Sequence, residues 1–172
     1  MNINYFRIFG FNQENFLDIK KEDIEKKYVD LQMKLMKNQI NSDSEQYLTI
    51  DLLNKAFKEF SSEKHRIKHY FDLLEEEKLS KEKKINIEKN FENNFEIKEY
   101  FFNLNERIAD LSSDISLYNS LYDQILNKKN EIICKMNYFL SKLNYEKLYE
   151  SYLELNFIFR AIENLDYMKI NR

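Results

Sequence analysis

The sequence predicts an all-α protein, and three observations predict it. In 172 residues there is no proline and a single glycine, Gly10, whereas sheet proteins need both at their turns. Apolar residues recur at alternating steps of three and four along most of the chain, which is the helical period. Fourteen phenylalanines and twelve tyrosines, without a tryptophan, supply much of the apolar material, so the helices are expected to bury aromatic rings.

The elements follow in order. Residues 4–10 read as a short apolar helix stopped by Gly10, since glycine suits the left-handed position after a helix. Asn12 to Asp18 is a polar connector, and Asp18 is placed to cap a helix over residues 21–37. Ile24, Tyr28, Leu31 and Leu35 make one stripe on it. Residues 37–45 read as a loop in which Ser44 caps the next helix. That helix runs to about Phe60 and buries Ile50, Leu53, Phe57 and Phe60. Ser61 and Ser62 break it, and residues 64–74 form another short helix. The most charged stretch, residues 75–84, is the expected boundary between a first domain of residues 1–75 and a second of 76–172.

The second half carries three periodic segments. They are Ile97, Phe101, Leu104, Ile108 and Leu111; then Ile115, Tyr118, Tyr122, Ile125, Ile132, Met136, Phe139 and Leu143; then Leu148, Tyr152, Leu155, Phe159 and Ile162. Ser113 or Asp114, and then Asn144, mark the breaks. Three helices with one apolar face each close into a bundle.

Composition excludes several classes. The net charge is −3 with no long basic tract, so nothing selects nucleic acid or an anionic membrane. No stretch approaches the ~20 apolar residues of a membrane span, and Met1 to Phe11 lacks the apolar core of a signal peptide. The single Cys134 forms no internal disulfide, fits a reducing compartment, and is expected to be a buried, inert thiol. His65 and His69 have a metal-compatible spacing on a helix but no third ligand nearby, so a surface pair without metal is expected. No phosphate loop, nucleophile elbow or metal-hydrolase motif is present, and no cofactor or catalytic residue is expected.

The order of the motifs resembles a known family. Asn4-Tyr5-Phe6…Phe9-Gly10 is followed by Tyr28-Val29-Asp30-Leu31-Gln32-Met33-Lys34, then by Leu53-Asn54-Lys55-Ala56-Phe57 and Arg66-Ile67-Lys68, ahead of an all-helical second half. Over nearly its whole length this resembles the HscB-type iron–sulfur J-domain co-chaperones. The resemblance implies a J-domain-like helical hairpin packed on a three-helix bundle, acting as a co-chaperone in iron–sulfur cluster assembly. The departure is large: the family carries His-Pro-Asp, the trigger of the partner's ATPase, where this chain reads Met36-Lys37-Asn38. With no proline anywhere, the tripeptide is absent.

The resemblance implies two binding surfaces. On the helix of residues 21–37, Lys20, Lys21, Lys26, Lys27, Lys34 and Lys37 outnumber Glu22, Asp23, Glu25 and Asp30. Lys26, Lys27, Lys34, Met36, Lys37 and Asn38 would face an HscA/DnaK-type chaperone. The plain alternative is a solvated helix face with local ion pairs. On the second half, Tyr100, Phe101, Leu104 and Phe157 would grip an IscU-type scaffold, with Phe102 an alternative by a one-residue shift. Phe101 and Leu104 equally fit the core stripe. Phe157 continues a second line on the last helix with Tyr149 and Leu153. The expected function is an adaptor binding scaffold and chaperone. The rival readings are a degenerate J-like protein that binds without stimulating its chaperone, and an unrelated self-associating bundle. A cytoplasmic location is expected, or the mitochondrial matrix for a processed eukaryotic form.

Overall fold

The structure, a computed structural model, describes residues 3–37, 48–111 and 115–170. Among these residues there is no strand. The elements are α1 (Tyr5–Phe9), a 3-10 turn (Gln13–Asn15), α2 (Lys21–Met36), α3 (Ile50–Phe60), α4 (Glu63–Leu73), α5 (Lys81–Glu92), α6 (Phe95–Ala109), α7 (Ile115–Ser141) and α8 (Tyr145–Ile170). The chain divides into two compact units, Met1–Leu74 and Glu75–Arg172.

The first unit is built on rings. Asn4 caps α1 by accepting from the Arg7 N–H at 3.2 Å, and Gly10 ends it at φ 67°, donating its N–H to the Arg7 carbonyl. The φ alone explains the glycine. This short helix delivers Phe6 and Phe9 to the fully buried Phe60 of α3, edge-on at 4.8 Å and stacked at 5.4 Å. Phe16 stacks on Tyr70 of α4 at 3.8 Å. Tyr28 of α2 stacks on Phe57 of α3 at 4.3 Å and donates its hydroxyl to Asn54 at 2.7 Å, which sets the register of the α2–α3 pair.

Beneath the rings lies one buried charge. Arg66 of α4 is 5% exposed. Its guanidinium donates to the carbonyls of Phe60 and Ile19 at 3.0 Å each and of Phe16 at 3.4 Å. These carbonyls belong to the end of α3 and to the connector before α2. Neither segment can satisfy them by helical hydrogen bonds, so one side chain ties three turns of backbone to α4.

Two expected helix starts differ. Asp18 does not cap α2; the N-cap is Lys20, with no side-chain hydrogen bond. Glu22 and Asp23 in the first turn complement the helix dipole instead. Thr49 caps α3 through the Leu52 N–H at 3.1 Å, while Ser44 lies outside the described residues. Ile50 occupies the first turn of α3 and is exposed, not buried. Ser62, expected as a breaker, also caps α4.

The second unit holds four helices among its described residues, not the expected three. Helix α5 begins within the stretch read as a charged boundary, residues 75–84, and runs on to Glu92. Ser80 caps it through the Lys83 N–H at 3.3 Å. Ile87 is its one buried residue, too little to produce a visible stripe. Helix α8 packs against α5, α6 and α7. It accordingly buries more than one line of residues: Leu148, Tyr152, Leu155 and Phe159, and also Ser151, Ile158, Ala161 and Leu165. Ser151 lies buried there without cost to its hydroxyl, which donates to the Lys147 carbonyl at 2.9 Å.

Helices α7 and α8 join through a tight reversal. The Asn144 N–H reaches the Phe139 carbonyl and the Leu143 N–H the Leu140 carbonyl, the two bonds of a Schellman turn. Leu143 sits at the left-handed position with φ 53°. It was expected in the buried stripe, but the helix has already ended, and Leu143 is 67% exposed. Asn144 then caps α8 through the Lys147 N–H at 3.1 Å.

Two measurements check these interactions. Arg66→Met keeps the stem but removes every donor, and is expected to lower the stability of the first unit by about 3 kcal/mol in urea unfolding. A loss under about 0.5 kcal/mol would show that the three carbonyls find other partners. Leu143→Gly relieves the positive φ at the loss of little packing, and is expected to add roughly 1 kcal/mol. A lower midpoint would mean that the leucine side chain outweighs the strain.

Candidate protein-binding site

Helices α5, α6 and α8 do not close completely on one another. Phe101 of α6 stacks on Phe157 of α8 at 4.7 Å, and Phe91 of α5 tilts against Phe157 at 5.7 Å. Three rings from three helices thus meet along one seam. Over them runs a groove of about 260 Å³, lined also by Ile97 and Leu153 and edged by Arg160. The Arg160 guanidinium lies 5.5 Å from the centre of the Phe157 ring. The volume falls below the ~300–1,000 Å³ of small-molecule sites. It has room for a single large side chain.

Phe91, Ile97 and Phe157 remain partly exposed there. Phe101 is 4% exposed and forms the floor. Leu104, also 4% exposed, is a core residue. For these two the core-stripe reading holds: both lie on the face of α6 that meets α8, so neither side chain stands out as a contact. Tyr100 is exposed and leans the other way, under Lys128 of α7 at 5.7 Å, although its ring meets Phe101 edge-on at 5.1 Å. Phe102 projects from α6 at 63% exposure.

Of the four residues expected on this surface, the structure therefore joins Phe101 and Phe157 in one groove, leaves Tyr100 outside its lining, and buries Leu104 in the core. Phe91 and Ile97 belong to the groove and were not anticipated as site residues. The signal for Phe91 was its spacing of four from Ile87 on α5, legible only once residues 81–92 are read as a helix.

On α2, Lys26, Lys27, Lys34, Met36 and Lys37 are all exposed. Asn38 lies outside the described residues. Cys134 is exposed, contrary to the expected buried thiol. Ile132 and Met136 take the buried face of α7, and a residue midway between them points elsewhere.

The two histidines have separate partners. His65 pairs through Nδ1 with Glu59 at 2.9 Å. His69 is half-buried rather than on the surface. Its Nε2 accepts the Tyr5 N–H at 3.1 Å while its ring stacks on Tyr5 at 4.5 Å. Among the described residues no group of three or more histidine, cysteine or acidic side chains is placed to hold a metal ion. No described helix is long and apolar enough to cross a membrane.

Burial holds the His69 imidazole below its ordinary value of 6.5, against a weaker opposing pull from Asp72. Protonation would also abolish the acceptor for Tyr5. A neutral histidine is thus favoured in the folded state, so its contribution is complete above pH 6.5 and is lost as pH falls through the lower folded value. His69→Phe, which keeps a stacking ring, is expected to lose about 1 kcal/mol at neutral pH and to show a shallower loss on acidification than the parent. Equal slopes in denaturation midpoints measured between about pH 7.5 and 5 would remove His69 as the cause.

No protein-family model, curated protein or solved structure matches the chain.

Proposed function

We propose that the chain is a non-catalytic helical adaptor whose second unit grips a protein partner in the α5–α6–α8 groove. The observation that carries this is the stack of Phe101 on Phe157, flanked by Phe91 and left open beneath about 260 Å³. Rigid rings in a preformed recess bury area at low entropic cost, as interface anchors do. The HscB-type resemblance supplies the partner class, an IscU-type scaffold, and the process, iron–sulfur cluster assembly. In this reading the exposed lysines of α2 meet an HscA/DnaK-type chaperone through electrostatic steering.

One observation favours binding without stimulation. The chain has no proline, and Met36 and Lys37 stand where the family's trigger begins. Neither supplies the histidine or aspartate of that tripeptide. The adaptor would then hold its partners together while the ATPase step is left to the chaperone's own rate.

Affinity for an IscU-type scaffold tests the reading. Phe157→Ala is expected to weaken binding by about 1–3 kcal/mol, roughly ten- to a hundredfold. Tyr100→Ala, beside the groove rather than in it, should cost less. Retained helicity by circular dichroism separates lost contact from lost fold. No binding by the parent, or equal affinity in the Phe157 variant, would overturn the assignment. In a single-turnover assay with an HscA/DnaK-type chaperone, no acceleration of ATP hydrolysis is expected.

A further inference from the structure

The charges around the phenylalanine groove are left uncompensated. Four charged side chains line it: Glu88 and Glu92 of α5, Lys98 of α6 and Arg160 of α8. Glu88 is engaged, since its carboxylate accepts the Tyr149 hydroxyl at 2.5 Å. Glu92, Lys98 and Arg160 are exposed, and no ion pair among the described residues holds any of them.

The cause is local. Ion pairs within a helix form at spacings of three and four, and at those spacings on α6 Lys98 finds Asn94, Phe95, Phe101 and Phe102. Arg160 stands over the Phe157 ring at 5.5 Å rather than beside a carboxylate. A second recess, of about 540 Å³, lies across Phe91 and Ile97, which line both. Its two lysines are each compensated, Lys147 by Glu150 at 2.6 Å and Lys135 by Glu154 at 4.0 Å. Of these two recesses, the phenylalanine groove alone leaves cations without a carboxylate.

We propose that the groove selects an acidic segment of its partner: one large apolar side chain enters over Phe101 and Phe157, and a neighbouring carboxylate is held by Lys98 and Arg160. This rests on the groove being a partner-binding site and adds which kind of sequence it takes. A guanidinium offers a carboxylate a planar fork, and Lys98 adds a point charge from α6. Glu92 stands on α5, so the partner's carboxylate is drawn toward α6 and α8, which fixes the side of the anchor on which it falls. A basic segment would meet two free cations against one free carboxylate and is disfavoured.

Titration of the full chain with short synthetic peptides, followed by amide chemical shifts in NMR spectra, tests this. Each peptide carries one phenylalanine on a glycine–serine background. The peptides differ only in two flanking residues, which are both glutamate, both glutamine or both lysine. The glutamate peptide is expected to bind about tenfold more tightly than the lysine peptide, with a gap that narrows at high salt. Lys98→Glu with Arg160→Glu should invert the order. Lys98→Gln with Arg160→Gln should abolish the preference while leaving the need for the phenylalanine. Equal affinities for the three peptides, or an unchanged order in the charge-reversed chain, overturn the acidic selection. If Phe157→Ala still weakens binding in that case, the groove itself stands as a partner site. Binding of no peptide, or binding that Phe157→Ala leaves intact, removes the groove and this inference with it.

Discussion

A helix that must pack against three others cannot hide all of its large side chains. Helix α8 is in this position: α5, α6 and α7 each take a part of its surface. Leu148, Leu155, Ile158 and Leu165 are completely enclosed. Phe157 lies between the lines that serve two neighbours and is enclosed by neither. Its ring is held by Phe101 beneath and Phe91 beside, which fixes its orientation while leaving an apolar edge open. The candidate site is thus a product of packing geometry. It needs no flexible loop, and a partner inserting a side chain would find the recess already formed, which reduces the entropy lost on binding.

The first unit solves a different problem. Its described helices are short, and α1 spans only Tyr5–Phe9. A helix of that length has no stability of its own. It persists because Phe6 and Phe9 close on Phe60 and because His69 accepts the Tyr5 N–H. The connector after it would expose carbonyls to an apolar interior, and Arg66 satisfies them. Burial pulls this guanidinium below its ordinary value, with Glu63 opposing, but three carbonyl acceptors repay the desolvation more evenly than a single carboxylate would. Rings supply the attraction, and one cation sets the geometry.

How much of this was legible depended on how strongly each element announces itself. The α6, α7 and α8 stripes could be read because each helix repeats its apolar positions over four or more turns. Helix α5 could not, because it buries Ile87 and little else, and Glu82, Lys83, Lys84, Glu88 and Lys89 dominate its composition. Cys134 and Leu143 misled for a related reason: adjacency to apolar residues is not a facing direction, and a two-residue offset or a turn reverses it. The exposed state of Phe102 was legible from its offset to the Phe101–Leu104 stripe. The recess above Phe157 was not, since it depends on where a helix invisible to periodicity comes to rest. The carbonyl-binding role of Arg66 was equally hidden, because no local pattern marks which backbone groups lack partners.

The two units differ in the kind of surface they leave over, and that difference constrains what the chain can do. On α2 the exposed residues are long, flexible lysines and methionines, which adapt to a partner and lose entropy in doing so. Around α8 the exposed residues are rings already fixed by stacking, which lose little. Contacts of the first kind are fast to form, sensitive to salt and weak; those of the second are slower to release. An adaptor benefits from having both, because one partner can be exchanged while the other is retained. In the adaptor proposed above, the phenylalanine groove would be the retaining surface and α2 the exchanging one.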